Sequence, residues 1–188
     1  MDIRKEKEIR PLFDYFVDEI SSSKLRKICR DLVKYKEFWT FPASIGHHHN
    51  FKYGLVLHTL EVVEMAIYKA KALKNCDNDI LITATLWHDL AKIWDIKVKD
   101  GSFRLEFEKA DYFREVHHIS GSNAEFTAVA MKFGLDRATV QKIQHCIISH
   151  HGNKDWGSPI VPNSLEAILL HQSDMLSAKS PSQNEIKD

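Results

Sequence analysis

The chain has 188 residues, enough for one domain to bury a hydrophobic core without disulfide support. Hydrophobic residues make up 44% of it and charged residues 28%, as in ordinary soluble globular proteins. Its 26 basic residues balance 26 acidic ones, so no overall basic field is available to hold a long nucleic acid. This composition argues against a module that only binds long duplexes, but it admits a small phosphorylated substrate or a short strand end.

Three features of the sequence predict a cytoplasmic protein that does not enter a membrane. Cys29, Cys76 and Cys146 are far apart and form no CxxC pair, which is typical of free thiols in a reducing compartment. The first ten residues are charged throughout and contain no apolar h-region, so we expect no signal peptide. The longest apolar runs are much shorter than a membrane span.

Helical periodicity dominates the chain. Pro11 predicts either a kink or a late start in the first helix, and Ser22 or Ser23 can cap the second. Asp77 or Asn78 can cap the fourth helix, and Gly134 is a suitable C′ residue for the fifth. The predicted helices span about residues 4–20, 23–36, 54–73, 79–94, 117–133, 136–150 and 164–179, and 38–54 are expected to be irregular.

One segment between the helices predicts strands. Residues 95–107 alternate around the pair Asp100-Gly101, which is a strong signal for a short β-hairpin. The prediction is therefore an all-α bundle with one small hairpin. We expect a single domain over 1–179, with its functional core at about 39–179, and a flexible polar tail over 180–188.

Ionisable side chains lie on the apolar faces of three predicted helices. The chain contains eleven histidines, and His58 shares a helical stripe with apolar residues. His88 and Asp174 do the same on two other helices. Burying these groups singly would cost several kcal/mol, whereas a shared metal ion binds neutral imidazole and carboxylate together.

Each of these residues also has a structural interpretation. A single inward histidine is more often a hydrogen-bonded core residue than a ligand, and Asp174 could bond a neighbouring backbone group. Pairs such as His117-His118 are common at helix ends on protein surfaces. The functional interpretation gains weight from the order in which H, HD, H, HH and D recur on successive helices.

That order resembles the HD superfamily of metal-dependent phosphohydrolases, and most closely the HD domain of bacterial 3′–5′ exoribonucleases that also carry an OB-fold. The supporting stretches are "FPASIGHHHNFKYGLVLHTLEV", "ATLWHDLAKIW" and "HCIISHHGNKDWGSPIVPNSLEAILLHQSDMLSAK". The resemblance implies an HD-domain helical bundle whose helices converge on one or two divalent transition metal ions.

The resemblance also implies the ligands of those ions. The first ion would be held by His58, His88, Asp89 and Asp174, and Asp89 would bridge to a second ion held by His118, His150 and His151. A mixed imidazole and carboxylate set suits Mn, Fe, Co, Ni or Zn better than Mg or Ca.

Catalytic and substrate-binding residues follow from the same resemblance. Asp89 would contact the attacking water, which becomes acidic on a metal, and Lys92 would contact a phosphate oxygen. His49 and Lys179 are further candidates for substrate contacts. Lys92 could equally be an ordinary surface lysine. Trp156 is most simply a rim aromatic, although its ring could stack on a base.

The leading functional hypothesis is a phosphodiesterase or phosphohydrolase acting on short oligonucleotide 3′ ends, cyclic nucleotides or mononucleotides. We expect no room for an OB-fold, which argues against processive action on long RNA unless a separate subunit supplies one. One alternative is a 5′-nucleotidase or nucleotide triphosphohydrolase, and another is a non-catalytic metal-bound nucleotide sensor. A purely structural helical domain would bind no metal. The oligomeric state stays open.

Overall fold

The computed structural model describes residues 6–99 and 106–180. Helices dominate these residues, and one small antiparallel sheet accompanies them, so the predicted fold class is confirmed. The helices are α1 (Glu6–Asp18), α2 (Ser23–Arg30), α3 (Lys36–Thr40), α4 (Gly54–Ala70), α5 (Asn78–Trp87), α6 (Lys92–Asp95), α7 (Tyr112–Glu115), α8 (His118–Lys132), α9 (Arg137–Ser149) and α10 (Leu165–Lys179).

The core forms around α5. This helix packs against α4, α9 and α10, and all its residues from Ile80 to Trp87 are buried. A helix that is apolar on every side must be surrounded by other elements. The Trp87 ring meets Phe126 of α8 edge to face, with ring centroids 5.9 Å apart. The end of α5 is therefore enclosed by other helices.

Side-chain caps fix where several helices begin. Ser22 and Asp77 accept hydrogen bonds from the backbone three residues later at the starts of α2 and α5, as the sequence predicts. Asp136 and Ser164 do the same for α9 and α10. At the other end of α8, Gly134 has a φ of 64°, the left-handed conformation expected of a C′ glycine.

The prediction of one helix over 79–94 is wrong, because α5 ends at Trp87 and α6 begins only at Lys92. Between them the backbone bonds close over three residues, from Leu90 N to Trp87 O at 3.3 Å and from Lys92 N to Asp89 O at 3.0 Å. His88 and Asp89 thus lie in a tight turn at a helix end, and hydrophobic periodicity alone does not detect this break.

Other helix boundaries differ less. The second helix ends at Arg30 rather than near residue 36 and continues as a 3₁₀ turn over Asp31–Lys34. The short α3 occupies part of the segment that was expected to be irregular, and α7 was not predicted. Pro11 lies inside α1 rather than at its start.

The predicted hairpin is present as β1 (Ile96–Val98) and β2 (Phe107–Lys109), with Ile96 opposite Lys109. Its second strand lies later than predicted, because β2 begins at the last residue of the predicted segment and extends two residues beyond it. The Asp100-Gly101 turn falls outside the described residues, as does the tail over 181–188. Among the helices that the structure describes, none is long and apolar enough to span a bilayer.

Phe126→Ala should lower the free energy of unfolding by about 3–5 kcal/mol, because the ring is fully buried against Trp87 and its loss leaves a cavity. Met131→Ala on the same helix is the matched control, since Met131 is 68% exposed and should change stability by less than about 0.5 kcal/mol. Urea denaturation followed by circular dichroism measures both. Equal effects would contradict the placement of α8.

Candidate metal centre

Five imidazoles and two carboxylates converge at one end of the core. They come from the middle of α4, the turn after α5, the start of α8, the end of α9 and the middle of α10. They form two adjacent groups, His58, His88, Asp89 and Asp174 in one and His118, His150 and His151 in the other. The seven residues predicted from the sequence as metal ligands are therefore all brought together.

In the first group, the two histidine Nε2 atoms lie close to one oxygen of each carboxylate. His58 Nε2 lies 3.1 Å from Asp174 Oδ1 and 3.4 Å from Asp89 Oδ2. His88 Nε2 lies 3.3 Å from Asp89 Oδ2 and 3.8 Å from Asp174 Oδ1. All four side chains are buried. Four donor atoms from three separate helical segments thus face a common point.

The second group faces the other oxygen of Asp89. His118 Nε2 and His150 Nε2 each lie 3.5 Å from Asp89 Oδ1. His151 Nε2 lies 3.3 Å from His118 Nε2. Asp89 therefore stands between the two groups and presents one oxygen to each, the geometry of a bridging carboxylate.

Backbone carbonyls orient three of the rings. His88 Nδ1 donates to Thr85 O at 2.7 Å, and His150 Nδ1 donates to Ile147 O at 2.6 Å. His151 Nδ1 donates to Trp156 O at 2.5 Å. Because a carbonyl only accepts, these bonds fix a proton on Nδ1, so Nε2, which points into the centre, is the nitrogen that a neutral ring offers to a metal.

Side chains orient the other two rings. His118 Nδ1 lies 2.9 Å from Asp95 Oδ2. His58 Nδ1 lies 2.9 Å from Ser177 Oγ, and Ser177 in turn donates to Glu61 Oε2 at 3.0 Å. Partners of this kind fix the tautomer and orientation of metal-ligating histidines in proteins.

The inward-facing atoms fit a divalent cation. Within the part of the chain that the structure describes, no hydrogen-bond partner exists for the buried Nε2 of His58, His88 or His150, or for Asp89 Oδ1. Buried polar atoms without partners are costly, and lone pairs that point at each other repel. A metal ion satisfies all of them at once, and imidazole with carboxylate suits a transition metal.

The charges within the centre also favour the binding of a divalent cation. Burial opposes protonation of His88, but Asp89 and Asp174 outweigh it and raise its pKa to about 10. Burial opposes ionisation of Asp89, but Lys92 and His88 hold its pKa well below the usual range. The carboxylates therefore stay ionised and attract positive charge, and a divalent ion would release the proton from His88.

Two rings of the second group, those of His118 and His151, are neutral. Burial lowers the pKa of His118 well below its usual range, and burial together with His150 lowers the pKa of His151 to about 4. Neutral imidazole is the form that binds metals, so these rings need lose no proton at neutral pH.

The predicted substrate residues occupy three different environments. Lys92 Nζ lies 2.6 Å from Asp89 Oδ2, at the edge of the centre. His49 is buried, and its Nε2 lies 3.0 Å from Glu61 Oε2, so it contacts a partner of the His58 network rather than open space. Lys179 is exposed, and its Nζ lies 5.9 Å from the Trp156 ring centroid.

Asp95, Ser177 and Glu61 were not predicted. Two of them carry a usable signal, because Glu61 follows His58 by three residues and Ser177 follows Asp174 by three, which places each pair on one helix face. Asp95 stands between Trp94 and Ile96, an acidic residue in an apolar stretch. His171, three residues before Asp174 on α10, donates to His150 O at 2.7 Å.

Comparison with known families decides how this centre is classified. The family model of the HD domain matches residues 55–179, which contain all seven converging residues. The chain belongs to the HD-domain family. HD domains hold divalent metals, in agreement with the donor set described above.

Curated relatives of this HD domain are named 3′–5′ exoribonuclease YhaM. The protein of Bacillus licheniformis is 34% identical over 166 residues, covering 87% of this chain and 51% of the relative. The protein of Bacillus subtilis strain 168 is 31% identical over 175 residues, covering 92% of this chain and 54% of the relative. The protein of Listeria monocytogenes serotype 4b strain CLIP80459 is 30% identical over 179 residues, covering 94% of this chain and 55% of the relative.

The chain therefore spans about half the length of the curated relatives it matches. No solved structure was found to match it.

Asp89→Ala should lower the bound metal by more than ~10-fold, since changes even to residues that only support metal ligands cost about 10–100-fold in affinity. The measurement is elemental analysis of protein dialysed against a limiting divalent metal. Asp14→Ala is the control, because Asp14 is exposed on α1. A wild type that holds no metal, or a variant that holds as much, would contradict the centre.

Proposed function

We propose that this chain is a metal-dependent phosphohydrolase that cleaves phosphodiesters at the 3′ ends of short oligonucleotides. The observation that carries the proposal is Asp89, a buried carboxylate with one oxygen toward each group of imidazoles and Lys92 beside it. The names of the curated relatives support a nucleic-acid 3′ end as the substrate. Because the chain spans about half of those relatives, the activity is a proposal for this chain.

The proposal assigns the ligands as two sets that share one residue. His58, His88, Asp89 and Asp174 would hold one divalent ion, and Asp89 with His118, His150 and His151 would hold the other. Mn, Fe, Co, Ni and Zn all suit these donors. Such ions, when bound, lower the pKa of a coordinated water and neutralise the charge that develops on phosphoryl oxygens.

Asp89 and Lys92 position the two reactants, the attacking water and the phosphate. The low pKa of Asp89 makes its carboxylate a weak base, so it accepts a hydrogen bond from the attacking water and orients it in line with the phosphorus. The Lys92 ammonium, 2.6 Å from Asp89, supplies a positive charge for a phosphate oxygen. Holding both reactants in line is the main contribution a protein makes to phosphoryl transfer.

The same proposal places the protein in the cytoplasm. The structure shows Cys29, Cys76 and Cys146 as free thiols, and Cys29 and Cys146 are buried. Reduced thiols packed as small apolar groups favour a reducing compartment.

The test incubates metal-stripped protein with a 5′-labelled single-stranded RNA of about ten nucleotides, with and without added Mn. We expect a ladder of products shortened from the 3′ end, release of nucleoside 5′-monophosphates, and no reaction without metal. The Asp89→Ala variant should be inactive, and Asp14→Ala should match the wild type.

Other products would point to the alternatives. If the RNA stays intact and a mononucleotide releases inorganic phosphate, the protein would be a 5′-nucleotidase. If the RNA stays intact and a nucleoside triphosphate is hydrolysed, it would be a nucleotide triphosphohydrolase. A metal-loaded protein that hydrolyses none of these substrates but binds a nucleotide would be a sensor.

Lys92→Ala should lower kcat on the RNA by about 10²–10³-fold, the usual cost of removing one group that stabilises charge in the transition state. Bound metal should stay unchanged, because Lys92 offers no ligand to the ion. Lys142→Ala on the exposed side of α9 is the control. An unchanged kcat, or a parallel loss of metal, would show that Lys92 does not contact the phosphate.

A further inference from the structure

A cavity of about 150 Å³ opens beside the metal centre. Lys92, Asp95 and His118 line it and also belong to the centre or its immediate partners. A molecule whose phosphate lies at Lys92 therefore has this cavity directly beside it.

The rest of the described wall is largely apolar. Ala43 and Ile45 come from the loop before α4, Ile96 from β1 and Phe113 from α7. Apolar and aromatic walls with a few polar groups are typical of small-molecule sites, and an aromatic ring suits a nucleobase.

The loop that forms one wall is held by its own hydrogen bonds. Ala43 N donates to His49 O at 3.1 Å, and Ser44 Oγ donates to His48 O at 2.6 Å. A wall already in place reduces the ordering cost that a ligand meets on binding.

Two polar features of the cavity match the phosphate and the sugar of a nucleotide. Lys92 and Lys109 line it and supply positive charge for a phosphate. Asp95 is only 4% exposed, and its Oδ1 has no hydrogen-bond partner among the described residues, whereas its Oδ2 meets His118. A buried acceptor without a partner fits a donor on the ligand, such as a sugar hydroxyl.

We propose that this cavity binds the terminal nucleoside of the substrate, with its 5′-phosphate at Lys92, its sugar hydroxyl at Asp95 and its base against Phe113 and Ile45. This inference rests on the proposed function and extends it, because it names the part of the substrate that is recognised.

The test compares two diesters with the same leaving group, thymidine 5′-(p-nitrophenyl phosphate) and methyl p-nitrophenyl phosphate. Only the first carries a nucleoside to fill the cavity. The wild-type protein with Mn should prefer it, measured as the ratio of the two kcat/KM values. Ile45→Trp, which fills the cavity, and Phe113→Ala, which removes the ring, should each lower that ratio by ~10-fold or more, the effect of losing one stacking contact.

The control is Ile168→Trp, the same substitution at a position on α10 that is 38% exposed, which should leave the ratio unchanged. Hydrolysis of the methyl diester should stay within about twofold in all three variants. A ratio near one in the wild type, or an equal loss on both diesters in the cavity variants, would overturn the nucleoside site.

A binding measurement tests the nucleoside site independently of the hydrolytic activity. Thymidine 5′-monophosphate is titrated into the protein as purified, with calorimetric detection, and should bind the wild type and Ile168→Trp alike but Ile45→Trp ~10-fold more weakly. If neither diester is cleaved while this pattern holds, the proposed function fails and the nucleoside site stands. If the nucleotide does not bind, or binds Ile45→Trp equally well, the site is wrong.

Discussion

The burial of the Asp89 carboxylate constrains the whole centre. Its side chain is 1% exposed, and an ionised carboxylate in that position would cost several kcal/mol without compensation. Lys92 supplies one positive charge, and four imidazole nitrogens lie within 3.5 Å of its two oxygens. A fold that places this carboxylate in the core must therefore bring cations to it.

Helix ends make this concentration of groups possible. The break after α5 turns Asp89 into the interior, and the start of α8 and the end of α9 bring the second set of imidazoles to it. Only α4 and α10 contribute from within a helix. Terminal carbonyls of a helix lack intrahelical partners, so a histidine at a C-cap can satisfy one with Nδ1 while Nε2 stays available.

The sequence predicted which residues converge better than it predicted what surrounds them. His58, His88 and Asp174 could be recognised because a polar residue on an apolar helical face needs an explanation, and their order resembles a known family. The break at Trp87 was missed, because apolar periodicity continues through the turn and α6. The pairing of His58 with Ser177 spans 119 residues, and hydrophobic periodicity gives no information about such a contact.

The cavity was missed for a similar reason. Most of its wall comes from a loop, two strands and two four-residue helices, and none of these has a long periodic pattern. Asp95 illustrates the difficulty. In the sequence it is one acidic residue between Trp94 and Ile96, and its role depends on its contact with His118, 23 residues away.

The two ways of orienting the rings differ in how they tolerate mutation. His88 and His150 are held by carbonyls of Thr85 and Ile147, so almost any side chain at positions 85 and 147 preserves those bonds. His118 and His58 depend on the side chains of Asp95 and Ser177. Sequence divergence can therefore retune the basicity of these two imidazoles, and with it the preference for one metal over another, without replacing a single ligand.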